Sequence, residues 1–169
     1  MPGVLALCVL ASAAPVTGQE RSLRLTEVVQ APPAIVYRMF STTEGVRALF
    51  PGADALIGDT VGGEYRIAFD PASSPDGREN GTAGCVILRL DPDRSLAFEW
   101  RGPPWATEMN VEPFPTWVEV ESRAAGDGGT RIILVHHGFG RSGSWDRAHA
   151  FFERAWRGAL DGLRDSFAT

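Results

Sequence analysis

The last stretch of the chain, SWDRAHAFFERAWRGALDGLRDSFAT from Ser144 to Thr169, constrains the fold more than any other. Phe152, Trp156, Ala159, Leu160, Leu163 and Phe167 fall at helical spacing along one stripe, with Arg and Asp elsewhere on the circumference. A long helix with a single apolar stripe has to bury that stripe against another layer. Ser144 is placed to cap its start, and Asp146 suits the positive end of the helix dipole.

What precedes this helix reads mostly as strands. SLRLTEVVQ (22–30) puts Leu23 and Leu25 on one side in period two, and Ala31-Pro32-Pro33 stops it. AIVYRMF is a short helix, and Ser41-Thr42-Thr43-Glu44 has capping-box spacing, with Ser41 opening a second short helix that Pro51-Gly52 ends. Five strands follow. VGGEYRIAF presents Tyr65, Ile67 and Phe69 on one face, and GTAGCVILRL presents Val86, Leu88 and Leu90. SLAFEW carries Leu96, Phe98 and Trp100, and TWVEVES carries Val118 and Val120. Gly126-Asp127-Gly128-Gly129 closes a hairpin into TRIILVHHGF, where Ile132, Leu134 and His136 share a face. The order implies an α+β protein: strand, two short helices, five antiparallel strands and a helix laid across the twisted sheet.

The first 18 residues have a different texture. Val4 to Ala14 is apolar and small, and possible cleavage sites follow at Ala11-Ser12-Ala13 and Val16-Thr17-Gly18. The segment reads as a signal peptide (1–18) before a single domain (19–169), and hence as an exported protein, periplasmic or secreted. No Lys or Arg precedes Val4, and a cytoplasmic protein with an N-terminal extension is the alternative. The apolar run is too short to span a bilayer, so no stable membrane insertion is expected. Removing it leaves Cys85 as the only cysteine, which rules out an internal disulfide and reads as a small strand residue. A net charge of -5, with no basic run, argues against nucleic acid as a partner.

This order and its motifs resemble the SRPBCC (START-like, helix-grip) superfamily, and more narrowly the family named for the heat-shock protein 90 ATPase activator homologues. The matching stretches are Ala31-Pro32 with Val36-Tyr37, then Gly62-Gly63-Glu64-Tyr65. Gly84 leads on to Asp91-Pro92 and Leu96-Ala97-Phe98-Glu99-Trp100. Thr130-Arg131 leads to His136 and Gly138-Phe139, and Trp156, Leu160 and Leu163 match the ending W-x-x-x-L-x-x-L. The likeness runs from about Leu23 to Phe167. It implies a curved antiparallel sheet of about six strands, two short helices after the first strand, and a long C-terminal helix across the concave face. Members are mostly cytosolic, whereas this chain reads as exported. The fold hosts lipid carriers, cyclases and co-chaperones alike, so it does not by itself give a function.

On that arrangement the inward residues Tyr65, Ile67, Phe69, Leu88, Phe98 and Trp100 line the concave side of the sheet, together with Val118, Leu134 and His136. Phe152, Trp156 and Leu160 close it from the helix. An apolar cavity with few polar groups is the general form of a small-molecule site; a solid core in which the aromatics fill the space is the other possibility. His136 and His137 are neighbours in one strand and point to opposite faces, so they cannot chelate one metal together. The resemblance puts His136 inside, as a half-buried imidazole or as a polar handle in the pocket, and His137 outside. No metal or cofactor is expected. The sequence offers no nucleophile elbow, dinucleotide fingerprint or acid–base pair.

The first functional reading is therefore non-catalytic binding of a small hydrophobic molecule, such as a lipid. The alternatives are a cyclase/aromatase-like enzyme with His136 and Tyr65 handling protons, or a co-chaperone-like interaction module. Trp117, Ile133 and Val135 face away from the helix and could form an apolar patch for a homodimer.

Overall fold

The computed structural model describes residues 21–168, and the signal-peptide expectation for residues 1–18 lies outside them. The chain runs β1 (Arg21–Val29), α1 (Pro33–Ser41), α2 (Thr43–Leu49), β2 (Asp54–Ile57), β3 (Tyr65–Ala68), β4 (Ile87–Asp91) and β5 (Ser95–Trp100). A 3-10 turn (Thr107–Asn110) precedes β6 (Thr116–Ala124), β7 (Thr130–Phe139) and α3 (Gly143–Ser166). The main sheet is antiparallel with the order β1-β7-β6-β5-β4, and β2 and β3 form a separate pair. The pair is stitched to the chain before β4 by the bridges Glu64–Val86 and Ala68–Gly81. The Tyr65 amide donates to Cys85 O at 2.9 Å, and Thr82 Oγ1 accepts from the Ile67 amide at 2.8 Å.

Local chemistry explains the element ends. Pro33 stands in the first turn of α1, where its missing N–H costs nothing. The cap of α2 is Thr42, whose Oγ1 accepts from the Gly45 amide at 3.0 Å, and not Ser41, which is the last residue of α1. With no residue spare between the helices, the capping role falls one position later than the box spacing suggests. Gly45 sits so close to α1 that a Cβ there would strike Arg38 O. α3, by contrast, starts earlier than expected. Ser142 is its N-cap, and Ser144 lies inside the first turn with its hydroxyl donating to Glu108. Asp146 stays in the first turn and pairs with Arg21 of β1. Between β6 and β7, Gly126, Asp127 and Gly128 all have positive φ (81°, 47° and 76°), a tight reversal that the Gly-Asp-Gly sequence makes accessible.

Two features of the sheet differ from the sequence reading. β2 was not anticipated, which makes seven strands among the described residues rather than about six. In β4 the pairing passes from Ile87–Phe98 to Arg89–Ala97, so Leu88 is an extra residue in the ladder. The bulge shifts the alternation by one. Ile87 is 1% exposed and Leu88 is 41% exposed, so the expected inward position of Leu88 is corrected to outward. After the bulge, Leu90 packs against the core as expected.

α3 lays Ala148, Phe152, Trp156, Leu160 and Leu163 on the sheet at intervals of four, four, four and three. They meet Leu23 and Leu25 of β1, Val118 and Val120 of β6, and Ile132 and Leu134 of β7 in one buried cluster. Most of the space between helix and sheet is therefore filled.

Candidate functional site

The space is not filled at one edge of α3. Four rings form a closed circuit there: Phe50 after α2, Phe69 after β3, Trp100 at the end of β5, and Trp156 of α3. Successive centroids are 5.3, 6.1, 4.8 and 6.1 Å apart, with neighbouring planes inclined by 49–89°. Beside them, where larger side chains would close the gap, the chain carries small ones. Ala155, Gly158 and Ala159 stand on α3, with Ala53, Gly81 and Gly102 on the facing loops. The result is an apolar cleft of about 500 Å³, within the size range of small-molecule pockets. A Cβ placed on Gly158 would meet no atom within 4 Å, because it would enter open space.

Phe69, Trp100, Phe152 and Trp156, all inward positions in the sequence, line this cleft. Tyr65, Ile67, Phe98, Val118, Leu134, His136 and Leu160 do not; they lie behind it in the packed core, each at most 1% exposed. Leu88 is on the other face. Leu49, Phe50, Pro51, Asn80, Arg101, Pro103 and Phe151 complete the lining, and no periodicity or motif marked them directly. One signal was present: Gly158 in mid-helix beside Ala155 and Ala159, a costly residue for a helix unless a side chain is unwanted there.

His136 is fully buried, and its Nδ1 accepts from the Trp156 indole N–H at 3.2 Å. That bond assigns the ring proton to Nε2, which has no hydrogen-bond partner among the described residues. Burial, followed by the neighbouring His137 and His149, holds the pKa of His136 well below its ordinary value, so the ring is neutral. It meets Phe139, Phe152 and Trp100 on other sides, at centroid distances of 4.6, 4.9 and 6.4 Å. Of the two readings, a hydrogen-bonded imidazole in the wall or a handle inside the pocket, the geometry matches the first, with the ring fully buried behind the aromatic wall. Tyr65 is equally occupied. Its hydroxyl donates to Phe40 O at 2.8 Å, its ring stacks on Phe98 at 3.8 Å, and burial pushes its pKa up. Neither member of the suggested proton-handling pair reaches the cleft.

His137 takes the outer face. It stacks on Trp117 at 4.9 Å and 10°, and its Nε2 lies 3.0 Å from Glu119 Oε2. Glu119 also pairs with Arg89 at 3.2 Å. Ile133 is only 7% exposed, and Trp117 and Val135 are half-buried. The register sets Arg24 and Glu119 on either side of Val135, and Thr26 and Glu121 on either side of Ile133. The three residues therefore stand among polar cross-strand neighbours and are buried or half-buried, so the apolar patch that the sequence allowed is largely covered. Cys85 is buried and its thiol pKa is pushed up, first by burial and then by Glu99, the opposite of what a reactive thiolate needs. Among the described residues no group of three or more His, Cys, Asp or Glu is placed to hold a metal ion.

The family model described as activator of Hsp90 ATPase homolog 1-like protein matches residues 30–168. The chain belongs to this family. The fold agrees with known members and relatives. An AHSA1-like protein from Rhizobium etli is 22% identical, with 86% of this chain and 81% of that one covered at a TM-score of 0.62. The Aha1 dimer from Colwellia psychrerythraea is 13% identical over 87% of this chain and 96% of that one, with a TM-score of 0.62. An HSP90 activator from Plasmodium falciparum is 18% identical over 81% and 86%, with a TM-score of 0.56. At these identities the likeness is one of fold. No curated protein matches the sequence.

Proposed function

We propose that this family member binds a small, mainly apolar molecule in the cleft beside α3, without transforming it. The observation that carries the reading is the coincidence of six aromatic rings (Phe50, Phe69, Trp100, Phe151, Phe152 and Trp156) with Gly and Ala positions that leave about 500 Å³ unfilled. Burying apolar ligand surface there gains roughly 25 cal/mol per Å² before association costs. Catalysis is not part of the proposal, because His136 and Tyr65 spend their polar atoms inside the protein.

Ala159 offers a clean test. It lines the cleft half-buried next to Ala155 and Trp156 on α3, so Ala159→Leu should take up cavity volume while a good helix former keeps the fold. Titration with the neutral fluorophore N-phenyl-1-naphthylamine should show one saturable site in the parent protein and at least a tenfold loss in Ala159→Leu, with the melting midpoint retained. Equal binding by both proteins, or no uptake by the parent, would remove the proposal.

A second reading is a protein partner. It is favoured by the relatives from P. falciparum, called an HSP90 activator, and C. psychrerythraea, called an Aha1 dimer. A chaperone partner or a second copy would co-purify as a stoichiometric polypeptide, whereas the ligand reading expects a bound small mass. The proposed export of the chain weighs against an ATP-driven chaperone partner, and a mature N-terminus after Ala13 or Gly18 would support that export.

A further inference from the structure

We infer that the molecule bound in the cleft is uncharged and carries a carbonyl-type acceptor that takes the indole N–H of Trp100. This rests on the reading above and narrows it from any apolar molecule to an apolar ketone, ester or similar carbonyl compound.

Two of the lining residues are tryptophans, and their N–H groups are placed differently. Trp156 donates to His136 Nδ1 at 3.2 Å, so its N–H is spent inside the protein. Trp100 is only 3% exposed, and its Nε1 has no acceptor among the described residues. The hydrogen bond that Thr116 Oγ1 donates to Trp100 at 2.8 Å goes to the carbonyl and not to the ring. The unpartnered Nε of Arg21, Nε of Arg101 and Nε2 of His136 are sealed from solvent, whereas the indole nitrogen of Trp100 keeps access to it. The rings of Phe69, Phe98, His136, Phe152 and Trp156 surround this indole at centroid distances of 4.8–6.5 Å. The opening left to the N–H is therefore the cleft that Trp100 lines.

Charge decides which acceptor suits it. Among the described residues no Asp or Glu lines the cleft, so a cation finds no counter-charge. Arg101 lines it too, but its guanidinium is turned elsewhere. Nη1 donates to Ala83 O at 3.1 Å, and the group lies 5.4 Å from the centre of the Phe114 ring. Neither Ala83 nor Phe114 belongs to the lining. A carboxylate among the rings would lose its water with no cation in its place, which is costly. A carbonyl oxygen is far cheaper to desolvate and accepts the N–H that Trp100 leaves open. An entering ligand expels the water that serves this donor in solution, and a plain hydrocarbon leaves it unpaired. Asn80 is exposed at the rim, where its amide stays hydrated whichever ligand enters.

The test compares three ligands of one shape, 4-phenylbutan-2-one, butylbenzene and 3-phenylpropanoate, by displacement of N-phenyl-1-naphthylamine from the parent protein and Trp100→Phe. In the parent the ketone should bind about tenfold more tightly than butylbenzene, and the carboxylate should bind most weakly. In Trp100→Phe the advantage of ketone over hydrocarbon should vanish. The ratio is the readout, because a change in cavity volume affects both ligands alike. A second measurement stays on the parent and does not depend on the variant's fold. With the five Trp labelled with nitrogen-15, the indole proton in nuclear Overhauser contact with the ketone's methyl group should lie downfield of its position with butylbenzene. Equal binding of ketone and hydrocarbon, a preference for the carboxylate, or a ketone advantage that survives in Trp100→Phe would overturn the assignment while leaving the cleft a ligand site. So would a ketone that fails to displace a bound fluorophore, or an indole proton that it leaves unmoved. If none of the three displaces the fluorophore and the fluorophore itself does not bind, the functional reading falls with it.

Discussion

His136 makes the stability of this fold depend on pH in a window where little else should. The ring is fully buried, accepts from Trp156 on Nδ1, and is held neutral because burial disfavours its charged form. In the unfolded chain its pKa returns to the ordinary value of 6.5. Above that value neither state binds a proton there, and the full stability is present. As pH falls below it, the unfolded chain takes up a proton that the folded chain refuses. Stability is then lost at about 1.4 kcal/mol per pH unit until the folded pKa is reached. Between about pH 8 and pH 5 the integrated loss is at most about 2 kcal/mol, a large part of the net stability of a small domain. The carboxylates whose pKa values are lowered, Asp54, Asp70, Glu108 and Glu121, start from ordinary values of 3.8 to 4.5 and titrate below this window. Urea unfolding of the parent and of His136→Gln across the window isolates the contribution, because Gln keeps an acceptor for the indole but cannot take up the proton. The parent should lose more stability than the variant between those two pH values, by up to about 2 kcal/mol. Parallel curves would mean that the imidazole is protonated in the folded protein, and the neutral-support role would be wrong.

Two further substitutions test the packing directly. Trp156→Ala removes a buried side chain and strands the His136 acceptor, so urea unfolding should show a loss of about 3–5 kcal/mol; a loss under about 1 kcal/mol would mean that α3 does not grip the sheet through this residue. Gly138→Ala should cost about 2 kcal/mol or more, because φ is +86° and the new Cβ would strike Pro115 O; a melting midpoint equal to the parent's would show that the β6–β7 ladder can relax there.

How far the sequence could be read depended on what each feature required of the side chains. The stripe of α3 was legible because Phe152, Trp156, Leu160 and Leu163 repeat at a period that only a helix brings together, and the structure buries all four. The split of His136 and His137 was legible for the same reason in a strand, where neighbours must part. β4 misled because alternation assumes an uninterrupted ladder, and a single bulge residue moved Ile87 inward and Leu88 outward without leaving a mark in the pattern. β2 was missed because its four residues, DALI, bury only Ala55, too little alternation to stand out. The cleft was the hardest feature to see. Hydrophobic periodicity records where volume is supplied, and it supplied Phe69, Trp100, Phe152 and Trp156 correctly. A cavity also needs places where volume is withheld, on segments that meet only after folding: Gly158 on α3, Gly81 before β4 and Gly102 after β5. Each glycine alone reads as a turn or a weak helix position, and only their convergence on one space distinguishes a hollow from a filled core. The same convergence explains why His136 is a wall support and not a handle. The empty volume is lined by Trp156 and not by the imidazole bonded to it, and strand alternation, which fixes the face of a residue, does not fix how many layers of side chain stand in front of it.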